Sequence, residues 1–213
     1  MTEVDRAVAA IERVGFAIVE RPEIDVRAEY DRAAAAAAPG DVARGRSCTR
    51  VSDFVNRGPA FDRFWLDPVL LAICARAFAA PWKLSTFHAR TVAPGGGPQE
   101  LHVDLARDGG PLALLGYVWM VDEFRADNGA TRFVPRDRSD DDAVVATGRR
   151  GTLVVFDGAI RHGYGANRTR EPRRSLQGAF VARAIAQGLD QRARLTPETA
   201  ARLDARARYV LDA

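Results

Sequence analysis

Two of the three histidines in this 213-residue chain stand in positions from which they can bind a metal. His102 and Asp104 flank Val103, and residues i and i+2 of a β-strand face the same side, so this imidazole and this carboxylate would project together. His162 follows sixty residues after His102, just past a strand predicted over 151–156. Two histidines and one carboxylate on one face of a metal leave three coordination positions open. This arrangement suits non-haem Fe(II) and oxygen chemistry.

The segment that begins at His162 carries a second signal. It reads HGYGANRT, and Arg173 follows eleven residues after the histidine. An Asn-Gly turn at Asn128-Gly129, followed by a short strand and Pro135, lies between the two candidate metal segments. In this order and spacing the chain resembles the phytanoyl-CoA dioxygenase-like family of Fe(II)/2-oxoglutarate oxygenases. The resemblance extends over nearly the whole chain.

The resemblance implies a role for each matching residue. His102, Asp104 and His162 match the family's iron ligands, and Arg173 matches the arginine that pairs with the distal carboxylate of 2-oxoglutarate. A guanidinium suits that role because its planar fork can hold a carboxylate through two hydrogen bonds. Arg174 is the adjacent alternative, since one of the two side chains faces the barrel interior and the other faces out. The presence of Asp104 disfavours the halogenase variant, in which a small residue replaces the carboxylate.

Two aromatic residues match further cosubstrate positions. Trp119 lies where family members place a tryptophan that packs on 2-oxoglutarate, although a core aromatic in a sheet would give the same pattern. Tyr164 stands where a small serine is usual. Other departures are Val103 in place of a common glutamine, Leu101 in place of a frequent tryptophan, and the sequence PRDR at 135–138. These departures bear on the substrate and on the cosubstrate contacts rather than on the metal.

The remaining residues with chemical potential are expected to have structural roles. His88 lies in a predicted strand and is expected to be a hydrogen-bonded structural histidine. Arg90 and Arg132 also lie on predicted strands; solvent exposure is favoured for both over an inward orientation toward an acidic substrate. Cys48 and Cys74 are expected to be ordinary free thiols.

Helix signals cluster at the two ends of the chain. Thr2 opens a first helix as its N-cap and Gly15 ends it, and a second helix is predicted over about 22–38. The Asp-Pro pair at 67–68 is typical of a cap followed by proline in the first helical turn. A C-terminal helix is predicted over about 196–212.

The middle of the chain is rich in strand signals. Short apolar runs separated by turns predict strands at 16–20, 84–92, 112–121, 131–134, 151–156 and 175–182, with an edge strand or loop at 44–54. This cadence favours an antiparallel barrel or jelly roll. We therefore expect one domain, 1–213, that is mainly β with flanking helices (α+β). Its parts would be a helical N-terminal part over about 1–80, a core over about 82–184 and the C-terminal helix. For the core, the family resemblance implies a double-stranded β-helix (jelly-roll, cupin-like).

Composition excludes several classes of protein. With 28% charged and 47% hydrophobic residues, the chain is not disordered or collagenous. It has no apolar run of about 18 residues and no signal-peptide pattern, so we expect no membrane partner. The net charge is +3, but the arginines are dispersed among acids, and we expect no nucleic-acid partner. The two cysteines form no disulfide framework, which indicates the cytoplasm.

The functional hypothesis is a dioxygenase that uses Fe(II), 2-oxoglutarate and O2 to oxidise a small-molecule substrate. Hydroxylation, coupled to decarboxylation of 2-oxoglutarate to succinate and CO2, is the favoured outcome, with a place in specialised metabolism. The alternatives are desaturation, cyclisation or rearrangement at the same site, and a catalytically silent cupin-like metal module. An arginine-rich nucleic-acid binder is disfavoured, because the arginines are not clustered. The substrate and the oligomeric state do not follow from the sequence.

Overall fold

The computed structural model describes residues 1–107 and 109–213, and within them seven α-helices flank two antiparallel sheets. The helices are α1 (Glu3–Val14), α2 (Arg27–Ala35), α3 (Asp62–Trp65), α4 (Pro68–Ala77), α5 (Gln191–Arg194), α6 (Pro197–Arg202) and α7 (Ala205–Leu211). The strands are β1 (Phe16–Val19), β2 (Val42–Arg44), β3 (Cys48–Val51), β4 (Trp82–Val92), β5 (Leu114–Met120), β6 (Thr131–Phe133), β7 (Val144–Val145), β8 (Leu153–Asp157), β9 (His162–Tyr164) and β10 (Arg173–Ala182). None of the helices in this described part is both long enough and apolar enough to cross a membrane.

Local signals determine where the first helix begins and ends. The Thr2 side chain accepts a hydrogen bond from the Asp5 N–H, and the Asp5 side chain accepts one from the Thr2 N–H, which makes a capping box. Gly15 ends α1 with φ of +94°, a left-handed conformation that glycine adopts without steric cost. The α4 prediction is also confirmed, because Asp67 caps the helix and Pro68 occupies its first turn.

Two helix predictions need correction. The second helix begins at Arg27 rather than near residue 22, because the preceding residues form an irregular segment that packs against the turn before β8. There the Pro22 carbonyl lies only 2.5 Å from where a Cβ of Gly151 would be. The predicted C-terminal helix is divided in two, since the Asp204 side chain accepts a hydrogen bond from the Ala207 N–H and starts a new helix there.

The large sheet has seven strands in the order β1-β8-β5-β10-β4-β3-β2, and the small sheet has three in the order β7-β6-β9. β10 lies at the centre of the large sheet between β5 and β4. Three strands of the large sheet come from the N-terminal part, which was predicted to be helical apart from a strand at 16–20 and a possible edge strand at 44–54. That part therefore extends the sheet at both ends as well as covering it.

Two apolar layers cover the two sides of the large sheet. On the side that we call the inner face, Phe16 and Phe156 pack on Phe133 of the small sheet, with ring centroids 5.0 and 5.1 Å from it. On the opposite side, the outer face, alternate residues such as Leu176 and Phe180 pack against the helices. The predicted jelly-roll core with flanking helices is confirmed.

Candidate active site

A two-residue bridge brings the predicted metal-binding segments together. The His102 N–H donates to the His162 carbonyl (3.0 Å) and the His162 N–H donates to the His102 carbonyl (2.9 Å). His162 belongs to β9, a three-residue strand that the sequence analysis did not predict. His102 and Asp104 do not lie on a regular strand, which corrects the prediction from their spacing. Asp104 is held instead by its N–H, which donates to the Gly158 carbonyl (2.9 Å).

The three side chains meet at one point. Asp104 places one carboxylate oxygen 3.7 Å from Nε2 of His102 and the other 3.6 Å from Nε2 of His162. One ligand atom from each of the three residues lies within 4.8 Å of the other two. The arrangement has the composition of a facial two-histidine, one-carboxylate metal site.

Hydrogen bonds at the far side of each ring orient both imidazoles. Nδ1 of His102 lies 3.1 Å from the Glu100 carbonyl, and Nδ1 of His162 lies 3.1 Å from the Ile160 carbonyl. A carbonyl only accepts hydrogen bonds, so each Nδ1 carries the proton and each Nε2 keeps a free lone pair directed toward Asp104. Second contacts of this kind hold the histidine ligands of metal sites in position. The donor set therefore fits a divalent metal.

Burial favours the neutral form of His162. Its side chain is 10% exposed, whereas those of His102 and Asp104 are 38% and 35% exposed. Burial is the main cause that lowers the pKa of His162, and the neighbouring His102 lowers it further, although Asp104 acts in the opposite direction. A neutral imidazole is the form that a metal requires.

The triad opens onto a cavity of about 280 Å³ between the two sheets. One part of its wall is apolar, with Leu114, Val118 and Phe156. Another part is polar; it carries Arg50, Ser85, Thr86, His88, Arg90, Gln99, Tyr164 and Gln177. Tyr164 thus lies in the same cavity as the triad. Burial raises the pKa of its hydroxyl to about 12, so the group remains protonated at neutral pH.

Arg173 and Arg174 face opposite sides of β10. Arg173 is completely buried on the inner face, whereas Arg174 lies on the outer face and donates to Asp31 (2.8 Å) and Asp122 (3.1 Å). The inward side chain is connected to the cavity wall through Ser175. The Ser175 hydroxyl accepts hydrogen bonds from Arg173 (2.9 Å) and from Gln177 (2.9 Å), which itself lines the cavity.

The Arg173 guanidinium is a buried charge for which the described residues provide no carboxylate partner. Nε donates to the Gly129 carbonyl (3.0 Å), and the guanidinium carbon lies 4.3 Å from the centre of the Phe124 ring. Burial, with a contribution from Arg90, lowers the pKa of Arg173 to about 9, so the group is still charged at pH 7. The contact with Gly129 was not predicted. The sequence indicated a turn at Asn128-Gly129, but it did not indicate that the carbonyl of this turn positions the arginine.

Trp119 does not lie in the cavity, which corrects the expected contact with a cosubstrate. It projects from the outer face of β5 and is 1% exposed among core residues. Its indole Nε1–H donates to the Phe64 carbonyl (2.8 Å), and its ring packs edge-on against Phe64 at 5.4 Å. The inward positions of the strand are the alternate residues, including Val118.

Two polar residues of β4 also differ from expectation. His88 lines the cavity opposite Gln177 in the strand pairing, and both of its ring nitrogens are buried without a hydrogen bond of good geometry to the described residues. Arg90 lines the cavity rather than facing solvent, and it donates to Gln99 (3.1 Å). Arg132 is half-buried, with its guanidinium 3.3 Å from the Gln99 carbonyl. The free cysteines are as expected, with Cys74 buried.

The sequence was also compared with protein families and with proteins of known function. A sequence model of the family described as phytanoyl-CoA dioxygenase (PhyH) matches residues 2–175. The protein named dioxygenase cdmA of Talaromyces verruculosus is 32% identical over 131 residues, which cover 53% of this chain and 44% of that protein. The chain spans about half the length of the curated relatives that it matches.

Solved structures share the fold. The carbocyclase SnoK from nogalamycin biosynthesis, described as α-ketoglutarate dependent, superimposes with a TM-score of 0.70 at 17% identity, covering 90% of this chain and 91% of that one. EctD from S. alaskensis, solved with 2-oxoglutarate and 5-hydroxyectoine, gives a TM-score of 0.68 at 19% identity, with 84% and 76% covered.

Proposed function

The chain belongs to the phytanoyl-CoA dioxygenase family, and on that basis we propose that it is an Fe(II)/2-oxoglutarate-dependent dioxygenase that oxidises a small molecule. The observation that carries the proposal is the triad, in which two fixed Nε2 atoms and one carboxylate converge at the mouth of a cavity. The proposed outcome is hydroxylation, coupled to conversion of 2-oxoglutarate to succinate and CO2. Product analysis would distinguish it from desaturation, cyclisation or rearrangement.

His102, Asp104 and His162 are the residues proposed to hold the iron. Bound Fe(II) would supply the redox chemistry by which O2 oxidises the substrate. The chain contributes the orientation of the ligands. The Glu100 and Ile160 carbonyls hold the imidazole rings, and the bridge between His102 and His162 sets the distance between the two segments.

Arg173 is the proposed anchor for the distal carboxylate of 2-oxoglutarate. A fully buried guanidinium without an acidic partner is unfavourable, and a bound carboxylate would supply the missing charge. Gly129 and Ser175 hold the guanidinium from two sides. Tyr164 would contribute a protonated hydroxyl from β9 as a further cosubstrate contact.

A small-molecule substrate is proposed because the triad lines a cavity of about 280 Å³ rather than a flat surface. No nucleic-acid partner is proposed, because the arginines are dispersed along the sequence among acidic residues and form no basic cluster. The cytoplasmic location and the place in specialised metabolism remain predictions.

The proposal is tested by anaerobic addition of Fe(II) and then 2-oxoglutarate to the apo-protein. A weak visible charge-transfer band that requires both additions is expected, and His162→Ala should abolish it. Asp141→Ala, which changes an exposed acid outside the cavity, is the matched control. If the wild-type protein binds metal tightly but gives no band with 2-oxoglutarate, the silent metal-module alternative replaces the proposal.

A further inference from the structure

We propose that Arg50 and Arg90 bind a carboxylate group of the substrate that is oxidised, with His88 adding a hydrogen bond beside them. The inference rests on the proposed function, since it assumes that the metal and 2-oxoglutarate occupy the positions assigned above. It narrows the substrate class to small molecules that carry an anionic group and an apolar body.

The strand register places the two arginines side by side in the cavity. Arg50 of β3 lies directly opposite Arg90 of β4, and His88 lies two residues along the same strand on the same face. All three residues line the cavity that contains the triad. Like charges in directly opposed positions of two strands are unfavourable unless another group compensates them.

Several polar atoms of this group have no partner. The Nε atoms of Arg50 and Arg90 and both ring nitrogens of His88 are buried without a hydrogen bond to any described residue. Buried polar groups of folded proteins are nearly always paired. The Nε atoms of other arginines in the described chain, such as Arg57 and Arg136, also lack a partner, so the signal here is the grouping of unpaired atoms on one cavity wall. Because these atoms belong to adjacent residues lining one cavity, a single bound group could satisfy several of them.

The balance of charge also indicates an anion. Arg50, Arg90 and Arg173 have no ion pair within the described chain, and Asp104 is the one carboxylate on the cavity wall. Fe(II) and 2-oxoglutarate carry equal and opposite formal charges, so their binding would leave the excess of guanidinium groups unchanged. A substrate carboxylate would reduce that excess.

The alternative partner for this pair is 2-oxoglutarate itself. One of its carboxylates is assigned to the metal and the other to Arg173 on β10, the strand that pairs with β4. Because both carboxylates of 2-oxoglutarate then have partners, Arg50 and Arg90 are assigned to a different anion. The opposite wall, with Leu114, Val118 and Phe156, would accommodate an apolar body attached to that anion.

The test uses 3-phenylpropionate and its amide as matched probes that differ in charge. Each is titrated by calorimetry into protein loaded with Mn(II) and 2-oxoglutarate, after the 2-oxoglutarate affinity itself has been measured. Wild-type protein should bind the acid more tightly than the amide. Arg50→Gln and Arg90→Gln should each weaken acid binding by about 10- to 100-fold, which corresponds to one charge-assisted interaction, and leave amide binding unchanged.

Two further variants make the result specific. Arg44→Gln alters an exposed arginine on the adjacent strand β2 and should change nothing. Arg90→Lys retains the charge and should lose less affinity than Arg90→Gln, provided that thermal melting shows both variants folded.

Three results would overturn the inference. The first is equal binding of the acid and the amide by the wild-type protein. The second is normal binding of the acid by both glutamine variants. The third is weaker binding of 2-oxoglutarate by these variants, which would assign the arginines to the cosubstrate. Failure of the wild-type protein to bind 2-oxoglutarate would appear in the first titration and would overturn the proposed function rather than this assignment alone.

Discussion

The two faces of the large sheet hold their charged groups in opposite ways. On the outer face, Asp157 accepts hydrogen bonds from Arg107 and Arg136, and Arg174 is paired with Asp122. On the inner face, Arg50, Arg90 and Arg173 have no carboxylate partner among the described residues, and His88 has no hydrogen bond there. On the outer-face side, the Tyr117 hydroxyl also lacks a hydrogen bond to the described residues, and Tyr117 is one of the residues that line the cavity.

The contrast separates arginines whose charge is offset by carboxylates of the fold from arginines that we propose bind ligand anions. Pairing with a carboxylate offsets the cost of burying a guanidinium, and the outer face follows that rule. The inner face does not follow it, although its arginines are at least half-buried. Burying unpaired positive charge beside the triad is unfavourable for the free energy of folding. Bound anionic ligands would offset that cost by pairing with the arginines.

The largest expected effect is the loss of metal affinity when Asp104, a residue of the triad, is replaced. Asp104→Ala should weaken Fe(II) or Mn(II) binding by more than about 100-fold, because loss of a supporting contact alone costs up to that amount and this variant removes a ligand. Equilibrium dialysis with Asp141→Ala as control would measure it. Retention of wild-type affinity would show that the carboxylate is not a ligand.

Removing the carboxylate at the centre of the outer-face ion pairs should destabilise the fold. Asp157→Asn leaves Arg107 and Arg136 without their charge partner and should cost about 2–3 kcal/mol, less than a fully buried pair because both arginines are partly exposed. Urea denaturation would measure the loss. As a control, Asp127→Asn breaks an exposed pair with Arg125 and should cost at most about 1 kcal/mol. Equal effects of the two variants would contradict the comparison.

The same carboxylate should make stability depend on acid. Burial alone would raise the pKa of Asp157, but hydrogen bonds from Arg107, the Ala159 N–H and Arg136 outweigh it and hold the pKa below the usual 3.8. Its contribution is therefore present above pH 3.8 and is lost as the pH falls through the lower folded-state pKa. Asp157→Asn should lack this part of the acid dependence. A variant whose stability falls with acid as steeply as that of the wild-type protein would show that the carboxylate is not responsible.

The smallest effect is expected at Trp119, which was expected to contact the cosubstrate but lies on the outer face. Trp119→Phe removes the hydrogen bond to the Phe64 carbonyl and should lower the free energy of unfolding by about 1–2 kcal/mol. The affinity for 2-oxoglutarate should not change, because the ring lies on the outer face. A marked fall in that affinity would return Trp119 to the cosubstrate site.

Signals that act over a few residues allowed correct prediction from the sequence. The capping box at Thr2, the left-handed Gly15 and the cap at Asp67 each act within one helical turn, and the helices they delimit were predicted correctly. The cadence of the strands predicted an antiparallel barrel or jelly roll, and the family resemblance selected the jelly roll. The start of α2 was misplaced because the preceding segment packs against the distant Gly151 turn instead of forming the first turn of a helix.

Features that depend on distant partners were not predictable in this way. β9 has three residues and exists because it pairs with β6, and without that pairing His162 would lie in a loop. Which face Trp119 and Arg90 occupy depends on strand parity, and parity is settled by the helices that cover one side of the sheet. The resemblance to a known family identified three residues that the structure brings together, but it did not give these orientations.

The most direct test of the account compares two adjacent arginines on opposite faces of one strand. The 2-oxoglutarate affinity of Mn(II)-loaded Arg173→Met and Arg174→Met protein would be measured by calorimetry. We predict that Arg173→Met loses about 2–5 kcal/mol of binding free energy and folds as stably as the wild-type protein, because an unpaired buried charge has been removed. Arg174→Met should bind 2-oxoglutarate normally. Normal binding by Arg173→Met, or loss of binding in Arg174→Met, would contradict the assignment of the inner face to ligand anions.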